Sequence, residues 1–231
     1  MRRRQRLSVT GVEPIGLYTL LRVARGDLDP GRPGQFFMLL PPGRVLPRPM
    51  SLCLAPPGEL AFLIDPIGTG TRALCELDRG DLLDVFGPLG NGFDLDGERP
   101  LLVGGGIGIA PLPYLSDALG SPPAVLGFRS DAHGEAAVLL PGAEVAVEPT
   151  LVTELIEPGR DVLACGPEPM LEAVRALEPD AQLAWEAPMP CGYGACYGCA
   201  VEIDGEWKRL CVEGPVLTKQ HCVAKSEEVA A

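Results

Sequence analysis

Residues 191–211, CGYGACYGCAVEIDGEWKRLC, decide how this chain is read. Cysteines stand at 191, 196, 199 and 211, spaced C-x4-C-x2-C, then eleven residues, then C. That is the ligand order of a plant-type [2Fe–2S] cluster, in which four thiolates hold two irons. Three ligands from one tight loop require small residues between them, and Gly192, Gly194, Ala195 and Gly198 supply these. Glycine lets backbone N–H groups come close to the sulfurs. Two other uses of four cysteines are weighed against this one. Zinc usually takes two separated pairs with short spacers, which C-x4-C-x2-C fits poorly. A pair of disulfides ranks lower still.

The fourth ligand is a choice between Cys211 and Cys222, and local geometry favours Cys211. Residues 200–203 and 206–211 read as strands around Asp204-Gly205, a strong two-residue hairpin signal. Pairing Ile203 with Glu206 brings Cys211 opposite Gly198, beside the loop. Cys222 follows Gly214-Pro215 with no element to return it.

Working outward, the 231 residues hold no uninterrupted apolar run of about 18, so no membrane span is expected. MRRRQRL is basic but has no apolar region behind it, so no secretory signal is read. Eight cysteines in a chain expected to be cytoplasmic read as metal ligands plus buried thiols, Cys53, Cys75 and Cys165 among the latter. A net charge of −12 argues against nucleic-acid binding.

Up to residue 97, short apolar segments alternate with turn residues. Strands are expected at 17–24, 35–40, 50–55, 60–65 and 81–86, with one helix at 69–77. This is the pattern of a small antiparallel β-barrel. From Pro100 strands alternate with helices, which indicates an α/β layer. LLVGG, AVLGFRS, EVAVEP, DVLACG and QLAWEA are its strands, with helices over PLPYLSDAL and from Pro167 to Leu177. The expected organisation is multi-domain: barrel 1–97, α/β domain 98–186, and cluster domain 187–231.

Four further constellations carry chemistry. Arg48-Pro49-Met50-Ser51 can hold a phosphate by charge-assisted hydrogen bonds. Gly68-Thr69-Gly70-Thr71 opens a helix, where free N–H groups favour an anion. Gly104-Gly105-Gly106 follows a strand and precedes a helix, the context of a nucleotide loop, although it is not G-x-G-x-x-G. Cys165-Gly166-Pro167 closes another strand, at the sheet edge where ligands bind. Each has a plainer use as an ordinary turn or, for Cys165, a buried thiol. His133 and His221 read as solvated loop residues.

The order RPMS, GTGT, GPLGNGF, GGGIGIAP, CGPEPM, E-x-x-M-x-CGYGACYGC and C-x-x-GPV resembles the electron-transfer subunits of NAD-dependent dihydroorotate dehydrogenases, within the ferredoxin–NADP reductase superfamily. The resemblance covers about residues 7–217. It implies FAD contacts at Arg48, Pro49, Met50, Ser51, Leu63, Ile64, Asp65, Gly70 and Thr71. It implies NAD(H) contacts at Gly104, Gly105, Gly106, Cys165, Gly166 and Pro167, and a [2Fe–2S] cluster on Cys191, Cys196, Cys199 and Cys211. Its implied partner is an FMN-containing dihydroorotate dehydrogenase catalytic subunit, in a heterotetramer. The segment IDPIGTGT departs from similar proteins, which commonly carry an aromatic and a basic residue there. Two other uses remain open: the same module serving another partner, such as a hydrogenase, sulfide-linked reductase or bifurcating transhydrogenase, and a non-enzymatic iron–sulfur carrier or sensor.

Overall fold

The computed structural model describes residues 3–203 and 205–218. Six strands form the first sheet: β1 (Arg3–Ile15), β2 (Tyr18–Ala24), β3 (Phe36–Leu40), β4 (Arg48–Ser51), β5 (Glu59–Ile64) and β6 (Leu82–Leu89). Their order is β4-β3-β6-β1-β2-β5, all neighbours antiparallel. The sheet closes beyond β4, where Cys53 N–H donates to Ala61 O at 2.8 Å and Ala61 N–H to Leu54 O at 2.9 Å. Alternating residues fill the barrel: Leu21 and Val23, Phe37 and Leu39, and Leu60, Phe62 and Ile64 are buried in one core. The Phe37 and Phe62 rings meet edge to face at 5.7 Å. Helix α1 (Thr69–Cys75) adds Leu74 to that core.

Two strands differ from expectation for physical reasons. The strand expected at 50–55 pairs instead over β4, in register Phe36↔Ser51 to Leu39↔Arg48. Pro49 is tolerated because β4 lies at the sheet's end in the hydrogen-bonding order, where a missing N–H costs little. Strand β1 was not expected at all. Its basic start hides it, yet those side chains lie on the barrel's outside, where Arg4 and Arg6 reach Asp84 at 2.8 and 3.4 Å.

The second sheet holds β7 (Pro100–Gly105), β8 (Ala124–Phe128), β9 (Glu144–Val147), β10 (Asp161–Cys165) and β11 (Gln182–Ala184), all parallel. Helix α2 (Leu112–Ala118) follows β7, and α4 (Glu168–Leu177) follows β10. Between β8 and β9 the connection is reduced to α3 (Asp131–Gly134) and a 3₁₀ stretch, Glu135–Leu139. The cysteine segment contributes the antiparallel pair β12 (Ala200–Ile203) and β13 (Glu206–Arg209), with Ile203 opposite Glu206 as expected. The chain then returns: β14 (Val216–Leu217) adds to the second sheet antiparallel to β11. The sheet order is therefore β14-β11-β10-β7-β8-β9. The boundaries expected at 97 and 186 fall in connecting segments, but packing runs across both. One core joins Tyr18, Leu20 and Leu63 of the barrel to Leu102, Ile109 and Leu126 of the α/β layer. A second joins Met38 and Leu89 to Cys199, Leu210 and Cys211. Among the described residues no helix is long and apolar enough to cross a membrane.

Candidate cofactor-binding site

Three parts of the chain meet around a cleft of about 250 Å³. The barrel lines it with Pro49, Met50 and Ser51 of β4, Leu63 of β5, and Asp65 and Thr71 beyond. Ile107 faces it from the loop after β7, and Trp185, Glu186 and Met189 from the segment leading to the cysteines. Pro215 lines it from the returning chain. Apolar walls with a few convergent polar groups are what a planar organic cofactor requires. Trp185 brings an aromatic group here from outside the IDPIGTGT segment, and its backbone N–H donates to Pro215 O at 3.0 Å.

Arg48 stands at the phosphate end of the expected site. Its Nη1 donates to Leu46 O at 2.9 Å and Pro47 O at 3.2 Å, while among the described residues Nε and Nη2 have no hydrogen-bond partner. The guanidinium lies directly on Gly70: a Cβ added there would stand 2.3 Å from Nε. RPMS and GTGT, 20 residues apart in sequence, are thus in contact, and only glycine leaves the room. The Thr71 hydroxyl is engaged locally, accepting from Gly68 N–H at 3.0 Å and donating to Gly68 O at 3.1 Å. Ile64 points into the barrel core, so its side chain is not brought to the cleft.

Two carboxyl groups border the cleft, and burial raises the pKa of both. For Asp65, nearby His133 pulls the other way. Glu186 has solvent-exposed surface yet is densely surrounded by protein, because it opens into the cleft; the dense surroundings govern its titration.

The edge expected to take the nucleotide lies where β7 and β10 run side by side, Gly104 opposite Cys165. The chain leaves β7 toward β8 on one side while β10 lies on the other, which makes this the topological switch point of the sheet. The glycines allow the two loops to touch: a Cβ on Gly108 would stand 2.4 Å from Gly166 Cα, and one on Gly105 2.4 Å from Met170 Sδ. Cys165 is buried, and desolvation, then Glu186, push its thiol pKa well up. It is a packing thiol at the edge of the site.

Tyr18 and His133 were not among the expected site residues. His133 is not a solvated loop residue: it lies in α3, its Nδ1 2.8 Å from Ser130 Oγ, its ring edge-on to Tyr18 at 5.9 Å. Burial, then Asp65, push Tyr18 up to about 12. His221 lies outside the described residues.

In the cysteine loop the thiols come as two pairs. Cys199 and Cys211 are buried with sulfurs 3.1 Å apart, held by the hairpin and its continuation, Leu210 N–H to Cys199 O at 3.1 Å. Cys191 accepts hydrogen bonds from the N–H groups of Tyr193, Cys196 and Ala195 and from the Cys196 thiol. Burial opposes ionisation of Cys191, but these donors outweigh it and bring the thiol to about 6. Among the described residues no three Cys, His, Asp or Glu converge as a single-ion site would. Two thiol pairs with backbone donors aimed at sulfur fit a two-iron cluster. Cys222 lies outside the described residues.

A flavin-type barrel joined to an α/β layer at its switch point, with a cysteine module beside the shared cleft, defines the reductase class of the ferredoxin–NADP reductase fold. The structure of an NADH-dependent reduced ferredoxin–NADP oxidoreductase superposes with a TM-score of 0.79 at 24% identity, covering 92% of this chain and 87% of that one. Phthalate dioxygenase reductase superposes with a TM-score of 0.63 at 18% identity, over 76% and 64%. Residues 186–223 match the family described as the iron-sulfur cluster binding domain of dihydroorotate dehydrogenase B. The electron transfer subunit of dihydroorotate dehydrogenase B (NAD(+)) from Geobacillus sp. (strain WCH70) is 34% identical over 94% of this chain and 97% of its own length. That from Bacillus caldolyticus is 35% identical over 92% and 96%. The chain belongs to this family of dihydroorotate dehydrogenase B electron transfer subunits.

Arg48→Ala is expected to release much of the FAD. A charge-assisted contact contributes about 1.5–3 kcal/mol, roughly one to two orders of magnitude in affinity. Gly70→Ala should act the same way, because its Cβ takes the guanidinium's place, with little change in melting temperature. Flavin content after gel filtration checks this, and full retention in both variants contradicts the placement.

Proposed function

We propose that this chain passes electrons between NAD and a flavin-bearing catalytic subunit, by way of its own FAD and [2Fe–2S] cluster. The observation that carries this is the junction itself: two thiol pairs lie on a module whose chain runs from Cys211 to Pro215 at the cleft edge in four residues. When bound, a flavin exchanges two electrons with a nicotinamide and one at a time with a cluster, so it must stand between them.

The residues have separable tasks. Arg48, with Pro49, Met50 and Ser51, holds FAD at its phosphate end. Leu63 supports it from β5, Ile64 through its main chain only, and Asp65 from just beyond the strand, with Gly70 and Thr71 at the start of α1. Gly104, Gly105, Gly106, Cys165, Gly166 and Pro167 form the bed for NAD(H). Cys191, Cys196, Cys199 and Cys211 ligate the cluster. We assign the chain three units, 1–97 for FAD, 98–186 for NAD and 187–231 for the cluster, and a cytoplasmic location.

The relatives' name points to dihydroorotate as the electron source and to pyrimidine biosynthesis as the setting. The carboxyl groups that line the cleft, Asp65 and Glu186, share it with the chain's own FAD, so dihydroorotate oxidation belongs to an FMN-containing catalytic partner, in a heterotetramer. Tyr193 and Tyr197 flank two of the ligands and are 58% and 64% exposed, which suits a contact surface around the electron exit.

The purified chain is expected to show flavin and cluster absorption together, with about one FAD and two irons per chain. Absence of either chromophore from anaerobically prepared protein contradicts the reading.

A further inference from the structure

In the motif GPLGNGF, residues 87–93, the asparagine is unusually well engaged. Asn91 N–H donates to Gly214 O at 2.6 Å. Its Nδ2 donates to Glu213 O at 3.0 Å and Val216 O at 2.7 Å, and its Oδ1 accepts from Val216 N–H at 3.0 Å. The side chain thus pairs with a stretch of main chain as a neighbouring strand would. Gly90 permits the approach, since a Cβ there would stand 2.6 Å from Gly214 O and 2.8 Å from Pro215 Cδ.

The gripped stretch begins just after Cys211 and includes Pro215, which lines the cleft. It is one of two short covalent paths from a cluster thiol to the flavin site, the other running from Cys191 to Met189. The grip also extends to the cysteine loop. The Glu213 carboxylate accepts from Arg209 Nη2 at 2.6 Å and from its backbone N–H at 2.7 Å. Arg209 in turn donates to Gly194 O at 3.4 Å and lies 5.2 Å over the Tyr197 ring. Barrel, returning segment and cysteine loop are therefore one hydrogen-bonded unit with Asn91 at its barrel end.

We propose that Asn91 is a positioning residue for electron transfer: by clamping residues 213–216 to the barrel, it fixes the cysteine loop relative to the flavin cleft. This rests on the flavin and cluster assignment above. The step it serves moves one electron from reduced flavin to oxidised cluster, with NADH as the source of the electron pair. Asn91 touches neither NADH nor the thiols, so its loss should separate two rates that a general loss of folding would not.

The test uses the full chain with both chromophores, as wild type, Asn91→Ala and the milder Asn91→Ser, which keeps a hydroxyl. After anaerobic mixing with NADH, flavin reduction should proceed at the wild-type rate in the variants. Cluster reduction should slow in Asn91→Ala, because electron tunnelling weakens with each added ångström, and should slow less in Asn91→Ser. Backbone amide exchange over residues 211–217 should quicken, a readout independent of turnover. Flavin and cluster rates that keep their wild-type ratio in both variants overturn the proposal, even if melting temperature falls. Wild-type protein lacking flavin or cluster overturns the underlying assignment and this inference with it.

Discussion

Cys211→Ser is expected to yield protein that has lost its cluster or holds it only weakly, with iron falling from about two per chain toward zero. Cys211 is fully buried, and its sulfur stands 3.1 Å from that of Cys199. A serine hydroxyl there is a harder and far less acidic donor than a thiol, and iron–sulfur clusters select soft thiolates. Among the described residues no other cysteine stands nearby to replace it, since Cys53, Cys75 and Cys165 belong to other parts of the fold: Cys53 and Cys165 in a separate core, Cys75 on α1. Cys222→Ser should keep the full complement. Iron and sulfide analysis of the two variants, with the visible spectrum, checks both statements. Cluster loss in Cys222→Ser and retention in Cys211→Ser would falsify the ligand assignment.

The second large effect concerns substrate. The isolated chain is expected to oxidise NADH with an artificial acceptor and to leave dihydroorotate untouched. Hydride acceptance needs only a flavin in the cleft beside the β7–β10 edge, where the nucleotide loops touch. Deprotonating and oxidising dihydroorotate needs a base placed over a second flavin. The two carboxyl groups that line the cleft, Asp65 and Glu186, share it with the chain's own FAD in the proposed arrangement. The difference is therefore all or none rather than graded.

Much of this was legible in the sequence because the decisive signals are local. The two-residue turn signal marked the hairpin, and the observed Ile203↔Glu206 pairing agrees with it. Short apolar runs marked four barrel strands, and the β-α alternation marked the second sheet. What stayed hidden depends on contacts distant in sequence. Strand β1 reads as a polar tail until Asp84 is seen to pair with its arginines. Strand β14 is two residues long and acquires meaning only against β11. Trp185 carried a weak signal, an aromatic just past the C-terminal end of a strand, but its place in the cleft comes from the packing of three chain segments. His133 looked solvated because Tyr18, which covers it, is contributed by the barrel. Asn91 sat inside a quoted motif, but its partners lie 122 and 125 residues away.

The most direct test is NAD reduction by dihydroorotate, measured anaerobically with this chain alone, with an FMN-bearing dihydroorotate dehydrogenase catalytic subunit alone, and with the two combined. NADH should form only in the combined sample, and should fail to form when Cys211→Ser replaces the wild-type chain. NADH formation by this chain alone, or undiminished formation with the cluster-free variant, would contradict its role as the link between that subunit and NAD.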